Sequence, residues 1–209
     1  TYRMKIKMII PLITDQYNTL VRENIVQYLS PDTEIVIESL EKGAPSIESR
    51  YDDMCDTPEI VQRVIQAEKE GLDGVFISCF SDPAVHIARE MVSIPVVGGF
   101  EPAAYQASLI SKQWGIVTIS EGCANILRDL ARMAGIRGLI ACIRNINTSI
   151  NELHNSEGLI EARLLAEIEK AAIENHVTAV ILGCTRMMSM DKYLAKEMAK
   201  QGLPITIID

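Results

Sequence analysis

Short apolar runs alternate with longer amphipathic segments along the chain, and the alternation occurs twice. The apolar runs that predict strands are residues 5–11, 34–40, 74–78, 94–99, 114–119, 138–143, 178–182 and 203–209. Most of the segments between them have helical spacing, clearest at residues 157–175. Strands that alternate with helices form parallel sheets with right-handed crossovers. We therefore expect an α/β fold of two similar lobes, each a parallel four-stranded sheet flanked by helices.

Two of the apolar runs end in the same way, with a small residue, a cysteine and a further residue. Cys79 follows Ser78, and Cys184 follows Gly183. Asp82 and Pro83 after the first cysteine predict the cap and first turn of a helix. The carboxyl ends of parallel strands are where α/β sheets bind ligands, and a nearby helix N-terminus favours the thiolate. Both cysteines are therefore candidate catalytic residues.

The repeat also predicts the domain organisation. Alignment of Cys79 on Cys184 places Val75 on Val180, which divides the chain into lobe 1 (1–100) and lobe 2 (101–209). The C-terminal segment is a candidate to rejoin lobe 1. We expect the lobes to be related by a pseudo-twofold axis, with the active site in the cleft between them. Two polar stretches lack a period: 43–56 predicts a long loop, followed by a helix that starts at Thr57 and Pro58, and 144–156 predicts another long loop or a broken helix.

The composition and charge of the chain disfavour some binding partners and predict free cysteines. The hydrophobic fraction is 48%, the charged fraction 23% and the net charge −8, which disfavours nucleic acid and anionic membranes as partners. The sequence has neither an apolar run of transmembrane length nor a secretory signal, so we expect a cytoplasmic protein. The five cysteines are widely spaced, with no CxxC pair and no histidine placed for zinc, which predicts free thiols. We expect Cys55, Cys123 and Cys142 to have structural rather than catalytic roles.

Several stretches of the chain resemble the aspartate/glutamate/hydantoin racemase superfamily, most closely its hydantoin and allantoin racemase branch. The matching stretches are GAPSIESRYD (43–52), SCFSDPAVHIARE (78–90), IPVVGGFEPAA (94–104), WGIVTIS (114–120) and ILGCTRM (181–187). The resemblance implies that Cys79 and Cys184 are the two acid/base residues and that neither a metal nor another cofactor is needed. It implies a small-molecule substrate, and we also expect a homo-oligomer. The implied substrate-binding residues are Ser78, Phe80, Thr118, Gly183, Thr185, Pro11 and Arg186.

The sequence departs from the family pattern at two places. The turn after the first strand reads Ile10-Pro11-Leu12, where the family usually has an Asn-rich substrate-binding turn, and only Thr14 follows as a polar replacement. Arg186 stands where the family often has glycine, and it could bind a substrate carboxylate bidentately or point to solvent.

The predicted reaction is a cofactor-independent racemisation or epimerisation of an amino acid derivative such as a hydantoin or allantoin. Inversion of a carbon needs a base on one face and an acid on the other, which two thiols supply. The alternatives are an aspartate- or glutamate-type racemase, a decarboxylase or cis/trans isomerase of the same superfamily, and a binding protein without turnover.

Overall fold

The computed structural model describes residues 3–153 and 157–209, and it divides into two compact units. Unit 1 ends at Gly99 and unit 2 begins at Phe100. Each unit contains a four-stranded parallel sheet with helices in the connections. The prediction of an α/β fold built from two similar parallel sheets is confirmed.

Unit 1 has the strand order β2-β1-β3-β4, so the first strand lies inside the sheet. Its elements are β1 (Met4–Ile10), α1 (Asn18–Val26), β2 (Thr33–Ser39), α2 (Arg50–Lys69), β3 (Gly74–Ile77), α3 (Val85–Met91) and β4 (Val96–Val97). Side chains that are fully or almost fully buried between sheet and helices form the core, among them Ile9, Ile60, Val64 and Ile77.

Unit 2 repeats this order as β6-β5-β7-β8. Its elements are α4 (Phe100–Ile110), β5 (Trp114–Thr118), α5 (Glu121–Met133), β6 (Ile140–Asn145), α6 (Ile150–Leu153), α7 (Glu157–Asn175), β7 (Ala179–Leu182), α8 (Asp191–Lys200) and β8 (Thr206–Ile208). All residues of β5 and β7 are buried, as expected for central strands of a parallel sheet covered on both faces. Ile160, Leu164 and Ile168 of α7 cover this sheet.

The connection between β2 and β3 in unit 1 differs from the predicted one. Half of the expected loop over 43–56 is helical, because α2 starts at Arg50 and carries Pro58 in its interior. Ser49 caps α2 by accepting a hydrogen bond from the Asp52 N–H, and the Asp52 carboxylate accepts the Glu48 N–H in return. This arrangement resembles a capping box, except that the Asp52 carboxylate binds the N–H of the residue before the cap, and it starts the helix two turns before Thr57.

The helix after Cys79 also starts later than predicted. Asp82 is not its N-cap: α3 begins at Val85, and Ala84 occupies the cap position in the left-handed region. By contrast, the predicted cap of α5 is confirmed, since the Ser120 hydroxyl accepts a hydrogen bond from the Cys123 N–H. The helix α4 was not predicted, although its buried residues Phe100, Ala104 and Ala107 have helical spacing.

The second polar stretch, 144–156, is only partly a loop. Strand β6 continues to Asn145, and the short helix α6 follows. The remainder, 154–156, lies outside the described residues. Among the helices that the structure describes, none is long and apolar enough to cross a membrane.

Candidate active site

Cys79 lies two residues beyond the end of β3, at the carboxyl edge of the unit 1 sheet. The Ser78 N–H donates to the Ile9 carbonyl oxygen at 2.8 Å, so the sheet pairing continues to the residue before the cysteine. The Cys79 N–H turns back to the Ile77 carbonyl oxygen at 2.9 Å. The side chain is half-buried, and its Sγ lies 3.1 Å from the Ser81 Oγ.

The chain turns sharply after Cys79. The Asp82 N–H donates to the Cys79 carbonyl oxygen at 3.2 Å, and both Asp82 (φ 48°) and Ala84 (φ 59°) adopt left-handed conformations. Such conformations cost roughly 1–3 kcal/mol each in residues other than glycine and persist where the surroundings enforce them, often at functional sites. Asparagine and aspartate tolerate them best, which suits Asp82.

The Gly98-Gly99 pair after β4 packs against this turn. A Cβ at Gly98 would lie 2.2 Å from Oδ1 of Asp82, whose side chain is only 4% exposed. A Cβ at Gly99 would lie 3.3 Å from the Phe80 Cα and 3.4 Å from the Cys79 carbonyl oxygen. Glycine at position 98 is therefore needed for the close approach of the Asp82 carboxylate.

Cys184 occupies the matching place in unit 2. It lies two residues beyond the end of β7, and the Gly183 N–H donates to the Val117 carbonyl oxygen at 2.8 Å, as Ser78 does to Ile9. Cys184 is extended and half-buried, and a single 3₁₀ turn, Thr185–Met187, follows it directly. The Met187 N–H closes this turn on the Cys184 carbonyl oxygen at 2.9 Å.

Thr118 and Gly183 fix the peptide before Cys184. The Thr118 Oγ1 donates to the Gly183 carbonyl oxygen at 2.8 Å, and the Thr118 side chain is fully buried. A Cβ at Gly183 would lie 2.7 Å from the Ile116 Cγ2, so only glycine fits between the strands. Within unit 2, the Thr118 hydroxyl is thus engaged in holding the strand end, a role that its prediction as a substrate-binding residue did not include.

The predicted site residues fall into two groups, one at a strand end of each unit. Ser78, Cys79 and Phe80 follow β3, and Pro11 follows the neighbouring β1. Thr118 ends β5, and the residues that follow the neighbouring β7 are Gly183, Cys184, Thr185 and Arg186. Ser78, Phe80 and Pro11 are buried, whereas Thr185 and Arg186 are half-buried.

Sequence reasoning missed Ser81, which contacts the cysteine sulfur, and it gave Asp82 only a capping role. The signal for Ser81 was its position two residues after Cys79, on the same turn. Gly98 lies in the matching stretch 94–104, but the sequence alone provided no reason for a glycine there, because its contact with Asp82 joins two segments that are separate in the chain.

The other three cysteines lie outside the two turns that follow β3 and β7. Cys55 is exposed on α2, and Cys123 and Cys142 are half-buried on α5 and β6. Burial raises the pKa of the Cys142 thiol, which disfavours its reactive form. Among the described residues, no group of three or more histidine, cysteine and acidic side chains is arranged to hold a metal ion.

Comparisons with known proteins show the family of the chain. The family model described as Asp/Glu/Hydantoin racemase matches residues 6–209. A hydantoin racemase of Pseudomonas sp. (strain NS671) is 31% identical over 202 residues, which cover 97% of this chain and 80% of the relative.

Two solved structures share the fold. The allantoin racemase from Klebsiella pneumoniae has 26% identity and a TM-score of 0.88, covering 99% of this chain and 82% of that one. The allantoin racemase from Pseudomonas fluorescens has 22% identity and a TM-score of 0.89, covering 99% and 85%. With a family match over nearly its whole length and a relative above 30% identity, the chain belongs to the Asp/Glu/Hydantoin racemase family, whose hydantoin and allantoin racemases are isomerases.

Proposed function

We propose that this protein is a cofactor-independent racemase or epimerase that inverts the α-carbon of an amino acid derivative such as a hydantoin or allantoin. The observation that carries the proposal is the matching position of Cys79 and Cys184, each two residues beyond the third strand of its unit. Two acid/base groups in equivalent settings suit a reaction that is symmetric between enantiomers.

The proposed reaction is a pair of proton transfers. The thiolate of one cysteine removes the α-proton: the Cα–H bond breaks, an S–H bond forms, and the electron pair moves onto the carbonyl oxygen of the substrate. The thiol of the other cysteine then delivers its proton to the opposite face of the carbon, and the electron pair returns from oxygen to form the new C–H bond. The two cysteines exchange roles for the other enantiomer.

We propose that hydroxyl groups next to the cysteines orient the substrate. Ser78 and Thr185, which flank the two cysteines, are the proposed donors to its carbonyl oxygens, where the negative charge of the intermediate develops. Phe80 and Pro11 are the proposed apolar contacts.

The proposed substrate class is a neutral five-membered amide ring. The turn after β1 carries the apolar side chains of Pro11 and the half-buried Leu12, and the Leu12 N–H is already used by the Ile10 carbonyl oxygen at 2.8 Å, so the accessible part of this turn is mainly apolar. Such a surface suits an uncharged ring better than a free amino acid, whose ammonium and carboxylate groups need polar partners.

Single substitutions of the cysteines in deuterium oxide test the mechanism. Wild-type protein should racemise an enantiopure 5-substituted hydantoin or allantoin, measured by circular dichroism. Cys79→Ser and Cys184→Ser should each abolish racemisation, because a serine hydroxyl is too weak a base at neutral pH. Each variant should still exchange the α-proton of one enantiomer, and the two variants should prefer opposite enantiomers.

Two results would contradict the two-base proposal. Exchange of the same enantiomer by both folded variants would show that the two thiols do not act on opposite faces of the carbon. Full activity of Cys55→Ser, the matched control at an exposed cysteine, is expected; its loss would point to a different reactive thiol.

A decarboxylase or cis/trans isomerase is the second candidate. It is favoured by one observation: Cys79 has a hydroxyl two residues later on its turn, in Ser81, whereas Cys184 has Arg186 at the aligned position. Unequal surroundings suit a reaction that needs a single reactive thiol. Release of carbon dioxide from a disubstituted malonate, or isomerisation of maleate, would identify this activity.

A further inference from the structure

The sulfur of Cys79 has a polar neighbour to which the proposed reaction has so far given no role. The Ser81 Oγ lies 3.1 Å from the Cys79 Sγ, well within the range of a hydrogen bond to sulfur, and both side chains are half-buried. Either atom can donate while the sulfur carries its proton.

Ionisation of the thiol fixes the direction of this hydrogen bond. A thiolate has no proton to give, so the Ser81 hydroxyl becomes the donor and the sulfur the acceptor. Hydrogen bonds to an ionised acceptor are stronger than those between neutral groups. The contact therefore stabilises the thiolate more than it stabilises the thiol.

The turn holds Ser81 in this position. It is closed by the hydrogen bond from the Asp82 N–H to the Cys79 carbonyl oxygen, 3.2 Å long, which spans Ser81. The left-handed backbone of Asp82 and the contact of its carboxylate with Gly98 restrict the turn further. Because the hydroxyl is placed before the reaction, little conformational entropy is lost when the thiolate forms.

The second cysteine has no equivalent hydroxyl at this position. The alignment that pairs Cys79 with Cys184 pairs Ser81 with Arg186. A substitution at Ser81 should therefore act on one thiol, and Cys184 provides an internal control in the same molecule.

We propose that Ser81 is a catalytic residue that stabilises the Cys79 thiolate by donating its hydroxyl hydrogen to the sulfur. This inference rests on the proposed function, in which Cys79 acts as base for one enantiomer. In the reaction, the hydroxyl keeps its own proton: it lowers the free energy of the charged sulfur and weakens as the sulfur takes up the α-proton.

The test is the pH dependence of alkylation at individual cysteines. Wild-type protein, Ser81→Ala and Ser81→Thr are treated with iodoacetamide between pH 5 and 10, and each cysteine is followed by peptide mass spectrometry. In Ser81→Ala, the pH midpoint of Cys79 alkylation should rise by about one pH unit, so that alkylation of Cys79 at pH 7 slows about tenfold. Ser81→Thr, which keeps the hydroxyl, should restore most of the wild-type rate, and the profile of Cys184 should not change.

The matched control is Ser93→Ala, an exposed serine after α3, which should leave the Cys79 profile unchanged. If Ser81→Ala does not fold, Ser81→Gly lacks the hydroxyl as well and relaxes the backbone of the turn. An unchanged Cys79 midpoint in either folded variant, or equal shifts at Cys79 and Cys184, would overturn the proposal.

Alkylation needs no substrate, which separates this inference from the proposed function. A shifted Cys79 midpoint without racemase activity in the wild-type protein would refute the proposed function and leave the role of Ser81 toward the thiolate intact. Racemase activity in the wild-type protein, with an unchanged Cys79 midpoint in Ser81→Ala, would refute the role of Ser81 and leave the proposed function intact. In an active enzyme, Ser81→Ala should lower kcat more for the enantiomer whose proton Cys79 removes.

Discussion

The buried hydroxyl of Thr118 donates a 2.8 Å hydrogen bond to the carbonyl oxygen of Gly183, the residue that precedes Cys184. The bond joins the ends of two neighbouring strands, β5 and β7, at the edge where the cysteine leaves the sheet. It fixes the orientation of the peptide that carries Cys184, and the position of a reacting atom is a sensitive determinant of rate.

Replacement of Thr118 by valine should therefore reduce both turnover and stability. Valine keeps the shape but leaves a buried carbonyl without this donor, at a cost of about 1–2 kcal/mol in the free energy of unfolding. We expect kcat to fall at least tenfold with a smaller change in KM. Racemisation kinetics measure both constants, and denaturant unfolding measures the stability. Thr178→Val, at an exposed site beside the start of β7, is the control; equal kinetic effects of the two variants would argue against a positioning role.

Gly98→Ala should disturb the turn that carries Cys79. The new methyl group would overlap the Asp82 carboxylate, at 2.2 Å from Oδ1 and 2.6 Å from Cγ, so the carboxylate must move. We expect a loss of about 1–3 kcal/mol in stability and a slower alkylation of Cys79 in the folded variant. Gly138→Ala, where a Cβ meets nothing within 4 Å, should change neither quantity. A Cys79 rate that stays at the wild-type value in Gly98→Ala would show that the turn does not depend on this contact.

Arg186→Ala should separate the two substrate classes. If the substrate carries a carboxylate, loss of a bidentate guanidinium pair should raise KM at least tenfold; for a neutral ring, the change should be small. From the apolar turn at Pro11, we expect the small effect. Arg132→Ala, a mostly exposed arginine paired with Asp129 on α5, is the control. Strong activity of the wild type on free aspartate or glutamate, with none on any hydantoin, would contradict this expectation.

Acidic side chains on one stripe of α2 hold the segment before that helix. Asp52 accepts the Glu48 N–H at 3.1 Å, Asp56 accepts the Ala44 N–H at 2.5 Å, and Glu59 accepts two further N–H groups. Asp56 is fully buried, and desolvation raises its pKa to about 6. The hydrogen bond from Ala44 lowers this pKa, whereas the neighbouring carboxylates raise it further.

This raised pKa predicts how Asp56 changes stability with pH. The folded protein keeps the carboxyl proton up to about pH 6, whereas the unfolded chain loses it near its ordinary value of 3.8. The contribution of Asp56 to stability is therefore complete below that value and is lost as the pH rises to about 6.

Asp56→Asn keeps a neutral acceptor for the Ala44 N–H and should remove this loss. We expect the variant to exceed the wild type by about 1–2 kcal/mol in free energy of unfolding at pH 8 and to match it near pH 3.5. Urea melts at several pH values measure the difference. Asp15→Asn, at an exposed carboxylate, is the control. A difference between Asp56→Asn and wild type that does not vary with pH would show that burial does not penalise the Asp56 carboxylate.

Much of the fold followed from local patterns. The strand that precedes each cysteine is a run of apolar residues long enough to cross a buried sheet, and α7 was predicted with its observed ends, 157 and 175. The inward face of α7 was harder to predict: Leu159 is apolar and adjoins Ile160, yet it is 51% exposed, because Ile160, Leu164 and Ile168 face the sheet. The early start of α2 had a local signal in Ser49 and Asp52, whose spacing is that of a capping box.

The sequence by itself determined the alternation of strands and helices, the two matching sheets, and the placement of Cys79 and Cys184 just beyond the third strand of each. These features depend on residues close together in the chain, where the spacing of apolar side chains decides between strand and helix. Only the tertiary structure decided that Asp82 lies against Gly98 and that the Thr118 hydroxyl binds the Gly183 carbonyl. The physical reason is that each contact joins segments distant in sequence, so the partner of a buried polar group is fixed by how the strands pair rather than by its neighbours along the chain.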